Sequence, residues 1–326
     1  MKQAGWVIAS VLVLSACGGG SASGGEVTLS LGHIANEKDA WHKGAIRFAE
    51  LVEEKTDGSV TVDLFPSSQL GSDRDLIEGM QLGTVDFALV AGVLSNFHEP
   101  FSILELPYLF EDEAHLENVL YGEVGDGLKE ELLAETDVRG LEFWMRGPRQ
   151  LTAHKAVESP EALSGLKIRV PEIPASISAW EEMGAAPTAM AFGEVYSSLQ
   201  TGVIDGQENP LALIESNTLQ EVQDYLMLTN HVYGYVMLTM SEATYEKLSP
   251  EQQEAVEAAA QEATEYENAL VAEMEVELLA TLEEAGMTVI EPDTEPFNEL
   301  ATRVHGTYAE RYGQDLYDAI VAAADE

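Results

Sequence analysis

The chain has 326 residues, of which 45% are hydrophobic, so it can bury the core of one large domain or of two smaller lobes. Its 58 acidic and 16 basic residues give a formal net charge of −42, which repels nucleic-acid phosphates and excludes a nucleic-acid-binding function. Because the acids are spread along the whole chain, we interpret them as a solvated surface. Adaptation to a saline habitat, where counter-ions screen the repulsion, is the alternative.

The N-terminal residues have the pattern of a secretory signal. Lys2 supplies a basic start, an apolar run covers 6–14, and the sequence LSAC at 14–17 closes it. The run is too short for a membrane-spanning helix, which needs about 20 residues. The last four residues resemble a bacterial lipobox, which predicts a signal peptide over 1–16 and lipid attachment at Cys17. A flexible Gly/Ser tether follows over 17–25 and predicts an extracytoplasmic, membrane-anchored protein.

Strand and helix patterns alternate along the next part of the chain. Apolar residues 41, 45, 48 and 52 recur at helical spacing, whereas 60, 62 and 64 alternate as in a half-buried strand. Strands are predicted at 27–31, 60–64, 87–90, 141–145, 166–170 and 235–240, and helices at 73–82, 175–183 and 194–201. This alternation predicts an α/β architecture with parallel strands and crossover helices.

One long helix is predicted near the C-terminus. Ser249 to Gln252 form a capping box with Pro250 at the first helical position, and the helical composition continues to Gly286. At 1.5 Å per residue the helix could extend about 55 Å, which is longer than one small lobe. It therefore either kinks or crosses between two lobes. A strand at 287–290 and a helix at 296–312 are expected to follow.

No catalytic or metal-binding motif is present. The seven histidines include no His-x-His or His-x-x-x-His pair, and the only cysteine is residue 17. The Gly-x-Ser-x-Gly, Gly-x-Gly-x-x-Gly and P-loop motifs are also absent. We therefore expect no metal, no cofactor and no enzymatic activity.

Three arginines, Arg146, Arg149 and Arg169, lie close together in a chain that has few of them. Arg169 stands at the end of the predicted strand 166–170, opposite the face formed by Leu166 and Ile168. Two interpretations are open from spacing alone. Arg169 is either a surface residue paired with one of the many acids, or a guanidinium at the carboxyl end of a strand, where open α/β sheets bind ligands. Its planar fork suits a carboxylate ligand.

Several segments resemble, in order, the signature blocks of one family. These are 65–71 (FPSSQLG), 165–171 (GLKIRVP), 187–196 (PTAMAFGEVY) and 203–211 (VIDGQENPL), with 106–108 (LPY) and 229–231 (TNH) also fitting. They resemble the solute-binding proteins of tripartite ATP-independent periplasmic (TRAP) transporters, the DctP family. The resemblance implies a two-lobed, periplasmic-binding-protein-like (Venus flytrap) α/β fold with mixed sheets flanked by helices and a long helix spanning both lobes. We expect one lobe over 26–146 and 235–275, and the other over 147–234 and 276–326.

The resemblance also implies a function. Such a protein captures a small organic acid by hinge closure, works as a monomer, and delivers the ligand to the small and large subunits of a membrane permease. A sensory binding protein that presents the ligand to a membrane receptor is the alternative, and an enzyme on this scaffold is a weaker one.

The resemblance carries four site residues over to this chain. Arg169 matches the arginine that pairs with the ligand carboxylate, and Arg149 matches a second arginine near the same anion. Asn209 matches an asparagine that hydrogen-bonds the carboxylate region, and Phe192 matches an aromatic residue that packs on the ligand. The alternatives are a structural ion pair for Arg149, a turn-forming role for Asn209 and a core position for Phe192.

Further candidates are His33, Tyr233 and Tyr235, each of which could line the cleft or be packed elsewhere. We interpret Trp144 as a core residue and Arg146 as a surface residue. Where the sialic-acid branch of the family has a glutamate after the 87–90 strand, this chain has Ala91. That departure argues against sialic acid and leaves the identity of the organic acid open.

Overall fold

The computed structural model describes residues 26–325. The predicted signal peptide, Cys17 and the tether over 17–25 lie outside the described residues. Within the described part of the chain, no helix combines the length and the apolar character that crossing a membrane requires.

The strands of the described chain form one continuous mixed sheet. They are β1 Val27–Gly32, β2 Val60–Phe65, β3 Phe87–Val90, β4 Val138–Ala153, β5 Lys167–Val170, β6 Ala186–Ala189, β7 Gly206–Pro210, β8 Tyr225–Met227, β9 Tyr233–Ser241 and β10 Thr288–Ile290. Their order is β2-β1-β3-β9-β4-β7-β5-β6, and β8 pairs with both β4 and β10.

The α-helices of residues 26–325 flank this sheet. They are α1 Ala40–Lys55, α2 Asp73–Gln81, α3 Phe101–Leu104, α4 Glu113–Leu120, α5 Glu123–Thr136, α6 Pro174–Glu182, α7 Val195–Gln200, α8 Leu211–Ser216, α9 Glu242–Tyr245, α10 Pro250–Glu284, α11 Glu295–Ala301, α12 His305–Tyr312 and α13 Gln314–Ala322. Short 3-10 helices occur at Gly92–Asn96, Pro160–Leu163, Phe192–Glu194, Leu219–Glu221, Thr302–Val304 and Ala323–Asp325.

The prediction of parallel strands is correct only for part of the sheet. Strand β1 is parallel to β2 and β3, and β5 is parallel to β6 and β7. The central strands are different, because β4 is antiparallel to β9, β7 and β8. Local alternation of strands and helices indicates which elements form, but β9 follows β4 only after about 80 residues of chain. Sequence periodicity therefore could not reveal that the two strands pair.

Strand β4 passes from one part of the sheet to the other. Its residues up to Pro148 pair with β9, and its residues from Arg149 onward pair with β7. We call β2, β1, β3, β9 and the first part of β4 the first sheet, and the remaining strands the second sheet. The register shifts between Met145 and Pro148, where Gly147 has a φ of +69°. A side chain at Gly147 would be strained there and would also collide with the carboxylate of Glu275.

Helix α10 is unbroken and spans both parts of the molecule. The predicted capping box is confirmed. The backbone N–H of Gln252 donates to the Ser249 hydroxyl oxygen, and the backbone N–H of Ser249 donates to the side-chain oxygen of Gln252. With 35 residues, the helix is about 52 Å long. Near its start Val256 packs in a core on the first sheet, and near its end Leu282 packs in a core on the second sheet.

The predicted helix over 296–312 is wrong as a single element. A 3-10 turn at Thr302–Val304 separates α11 from α12. Phe297 of α11 packs in a core of the second sheet, whereas Tyr308 of α12 and Ile320 of α13 pack in a core of the first sheet. The chain has to turn in order to reach both cores.

Trp144 is fully buried, as predicted, and its indole nitrogen donates a hydrogen bond to Thr264 of α10 at 2.9 Å. Close by, Glu267 of α10 is also fully buried, against Gly44 and Trp144. Neither of its carboxyl oxygens has a hydrogen-bond partner among the described residues. Burial raises the pKa of Glu267 well above its ordinary range.

This carboxyl makes stability depend on pH. Since its pKa is raised in the folded chain, stability falls as the pH rises above the ordinary glutamate range, where only the unfolded chain has released the proton. We expect Glu267→Gln, which mimics the neutral acid, to raise the Tm at pH 8 and to leave it nearly unchanged at pH 5. Thermal unfolding at both pH values measures this. Glu265→Gln, an exposed position on the same helix, is the control; a lower Tm of Glu267→Gln at pH 8 would contradict the prediction.

Candidate functional site

A cleft lies where β4 passes between the two sheets. Both parts of the molecule line it with charged and polar side chains: Asp73, Glu105, Arg146, Arg149, Arg169 and Asn209. Phe192 and Tyr235 add aromatic surface to the same walls. Several charged groups thus converge on one concave site, which is the usual arrangement of a small-molecule site.

Arg169 stands on β5 and is buried, with 4% of its surface exposed. Its Nε and Nη2 atoms donate hydrogen bonds to the Met190 carbonyl at 3.0 and 2.8 Å. No carboxylate of the described residues forms a salt bridge with it. Burial lowers the pKa of Arg169 to about 10, so the side chain remains charged at neutral pH. Of the two interpretations left open by spacing, the geometry therefore matches a guanidinium in a cleft.

Arg149 forms a buried ion pair across the β4–β7 pairing. Its Nε and Nη2 atoms both donate to the Glu208 carboxylate, the latter at 2.8 Å, and Nη2 also donates to the Glu208 carbonyl at 2.8 Å. The Nε2 atom of His231 donates to the same carboxylate at 3.0 Å, a protonation state that follows from the hydrogen-bond network. Burial alone would favour neutral Glu208, but Arg149 and His231 outweigh it and lower its pKa to about 2. Arg149 thus makes a structural ion pair and lines the cleft at the same time.

Asn209 and Phe192 complete this wall of the cleft. Asn209 is buried on β7, and its Nδ2 atom donates to the Gln207 side chain at 2.5 Å, which leaves a second amide hydrogen for a ligand. The ring centroid of Phe192 is 5.8 Å from the guanidinium carbon of Arg169. Phe192 is half-buried and also packs against two of the hydrophobic cores.

The three further candidates differ in position. Tyr235 is buried in the cleft wall, and its hydroxyl lies next to the Glu105 carboxyl. His33 is fully buried and hydrogen-bonds His42 at 3.1 Å, and burial lowers its pKa to about 3. Tyr233 lines a separate surface depression. The structure therefore brings only Tyr235 of these three to the cleft.

The interpretation of Arg146 as a surface residue is wrong. It has 7% of its surface exposed, lines the cleft, and its guanidinium carbon is 4.5 Å from the Trp41 ring centroid. The reason is that β4 continues through Ala153, and the register shift after Met145 allows Arg146 and Arg149 both to face inward. Sequence spacing gave no indication of this shift.

Two half-buried acids that line the cleft were not predicted from the sequence. Asp73 is the first residue of α2, and Glu105 directly follows α3. Burial raises the pKa of Asp73 to about 6 and that of Glu105 to about 7. The available signal was the isolated acid within the apolar run 101–110, but in a chain with 58 acids one more carried little information.

The arrangement can bind an anion that also carries polar groups. Arg146 and Arg169 have no salt-bridge partner within the described chain, whereas Arg149 is neutralised by Glu208. A desolvated carboxylate needs such paired and hydrogen-bonded surroundings. Among residues 26–325, no group of three or more His, Cys, Asp or Glu side chains is placed to hold a metal ion.

Comparisons with known proteins agree with this picture. Residues 31–312 match the family described as bacterial extracellular solute-binding protein, family 7 (DctP). A solute-binding protein of Roseobacter denitrificans is 44% identical over 294 residues, which cover 90% of each chain.

Solved structures are similar over almost the whole chain. A TRAP periplasmic solute-binding protein from Roseobacter denitrificans with bound L-galactonate is 42% identical, with a TM-score of 0.87, covering 93% of this chain and 100% of that one. One from a Polaromonas species bound to D-erythronate is 33% identical, with a TM-score of 0.88, covering 91% and 99%. These similarities confirm the predicted two-lobed α/β fold. The chain therefore belongs to the DctP family, the extracellular solute-binding proteins of TRAP transporters.

Proposed function

We propose that this protein captures a small organic acid in the cleft, with the ligand carboxylate on Arg169, and delivers it to the small and large subunits of a TRAP membrane permease. The observation that carries the proposal is the buried Arg169 guanidinium, charged and without an ionic partner in the described chain. The relatives that bind L-galactonate and D-erythronate, both carboxylates, support it. The protein acts as a monomeric binding protein without chemical turnover.

The residues proposed to contact the ligand contribute in different ways, some through charge and others through hydrogen bonds or packing. Arg169 supplies the net positive charge, because the charge of Arg149 is already balanced by Glu208. Arg149 and Asn209 add hydrogen-bond donors, and Phe192 covers apolar atoms of the ligand. A planar guanidinium offers two parallel donors to a carboxylate, which a lysine cannot reproduce.

Hinge closure is proposed between two lobes, over 26–146 with 235–275 and over 147–234 with 276–326. Strands β4 and β9 and helix α10 would be the connections, and the partner switch of β4 after Pro148 lies at this boundary. One change to the expected boundaries is favoured by packing. Because Tyr308 and Ile320 lie in a core of the first sheet, we assign 305–325 to the first lobe.

Lipid attachment at Cys17 is proposed as the anchor that keeps the binding protein at the membrane surface, with 17–25 as its tether. We expect the full-length protein to fractionate with membranes and Cys17→Ser to be released. Immunoblotting of the two fractions measures this in the native host. Equal membrane association of both forms would rule the anchor out.

The central prediction concerns Arg169. We expect Arg169→Ala to weaken binding of the preferred acid by about 2–5 kcal/mol, or roughly 30- to several thousandfold in Kd, because a buried charge loses its partner. Arg169→Lys should recover only part of this, since the fork is lost. Calorimetry of L-galactonate, D-erythronate and other organic acids measures the Kd values.

Arg303→Ala removes the same charge from an exposed ion pair with Glu182 and should leave the Kd unchanged. An unaltered Kd in folded Arg169→Ala would refute the site. If no carboxylate in the panel binds to the unmodified protein, the proposed function itself is wrong.

A second prediction follows from the net charge of −42, which opposes the approach of an anion. Raising the ionic strength from about 0.01 to 0.15 M shortens the Debye length from roughly 30 to 8 Å, so this repulsion weakens. We expect the association rate constant to rise by a factor of about two or more. Stopped-flow tryptophan fluorescence can follow it, since Trp41 stacks on Arg146 in the cleft wall. A rate constant that falls with added salt would show that local positive charge governs the approach instead.

A further inference from the structure

We infer that Asp73, Glu105 and Arg146 form a hydroxyl-binding subsite, so that the ligand is a polyhydroxylated monocarboxylate, a sugar acid, rather than a dicarboxylate. This inference rests on the proposed function, because it takes the carboxylate to lie on Arg169. The three residues come from α2, the end of α3 and the first part of β4, which belong to the first sheet and its helices. Arg169 comes from the second sheet, so the subsite lies on the opposing wall of the same cleft.

Arg146 provides hydrogen-bond donors that have no acceptor. Its side chain is more than nine-tenths buried and stacks on Trp41, yet its guanidinium donates no hydrogen bond to another described residue. A buried guanidinium without acceptors is costly, because its hydration is lost and nothing replaces it. Since the side chain lines the cleft, oxygen atoms of a bound ligand would supply the missing acceptors.

Asp73 and Glu105 provide the complementary acceptors. The Oδ1 atom of Asp73 is buried and has no hydrogen-bond partner among the described residues. The Glu105 carboxyl lies close to Gly92. A Cβ atom at position 92 would come within 2.1 Å of Oε1 of Glu105, so the glycine leaves space for this carboxyl. Both acids line the cleft. A hydroxyl group can donate to a carboxylate and accept from a guanidinium, so a run of hydroxyls matches this mixture of groups.

The charge balance separates the two ligand classes. A second carboxylate placed near Arg146 would also face Glu105 and Asp73, and these acids offset the attraction of the single guanidinium. Of the three subsite side chains, only the Arg146 guanidinium is a fixed donor to a second carboxylate, whereas hydroxyls can bond to all three. Burial raises the pKa of both acids, and Oδ1 of Asp73 has no hydrogen-bond donor among the described residues. The L-galactonate bound by the Roseobacter denitrificans protein is a ligand of the inferred class.

The test is a comparison of four probes by calorimetry at one pH. L-Galactonate and D-erythronate carry hydroxyls and one carboxylate, succinate carries two carboxylates, and butyrate carries one carboxylate and no hydroxyls. We expect the unmodified protein to bind at least one sugar acid at least about tenfold more tightly than succinate or butyrate. Glu105→Gln should weaken sugar-acid binding by roughly ten- to hundredfold, since a charge-assisted hydrogen bond is lost. It should not weaken succinate binding, because it removes a repelling charge.

Asp73→Asn is a second variant, which serves if Glu105→Gln does not fold. It should likewise weaken sugar-acid binding without weakening succinate binding. Glu265→Gln, exposed on α10, makes the same charge change away from the cleft and should leave all four Kd values unaltered. Tighter binding of succinate than of both sugar acids, or equal loss of both ligand classes in the subsite variants, would overturn the inference while leaving the proposed function intact. Absence of binding by all four probes and by the wider carboxylate panel would refute the proposed function instead.

Discussion

The buried ion pair between Arg149 and Glu208 holds β4 to β7 at the point where β4 leaves the first sheet for the second. Breaking such a pair by removing one partner leaves an uncompensated charge in a dry environment, which costs about 3–5 kcal/mol. His231 donates to the same carboxylate and so helps to satisfy its oxygens. The arrangement of the cleft depends on this contact, because it fixes the strand that carries Arg146 and Arg149 into it.

The same ion pair decides which arginine is available for an anion. Of the three buried arginines in the cleft, Arg149 is already neutralised, whereas the hydrogen bonds of Arg169 within the described chain go to a backbone carbonyl. A carbonyl orients the guanidinium without cancelling its charge. In a chain with a net charge of −42, that local charge has to be protected from the surrounding acids. Burial between the two sheets keeps the exposed acids out of contact with the guanidinium. Salt screens those acids that lie more than a Debye length away.

The cleft is complementary to a ligand that brings both charge and hydrogen bonds. Arg146 is buried without an acceptor among the described residues, Oδ1 of the half-buried Asp73 has no hydrogen-bond partner there, and the half-buried Glu105 lines the same cleft. Polar groups that are shielded from water and left unpaired lower the stability of the ligand-free protein. A matching ligand would supply the missing hydrogen bonds and so recover this free energy on binding. The second sheet would thus hold the charged end of the ligand, and the first sheet its polar body.

Much of the fold could be predicted from the sequence because the information is local. The helical spacing around Phe48, the capping box at Ser249 and the alternation before Arg169 each depend on neighbouring residues, and the structure has helices or strands at all three. The family could be identified as well, since its ordered blocks extend over nearly the whole chain, and the comparisons confirmed it.

The contents of the cleft were decided by tertiary structure. The pairing of β4 with β9 joins distant parts of the chain, and the register shift beside Gly147 turns Arg146 inward where spacing alone gave no sign of it. Asp73 and Glu105 are two acids among 58 in the sequence. Only folding distinguishes them from the other acids. Their position beside the arginines of the cleft depends on tertiary contacts, which the residues next to them in the sequence do not reveal.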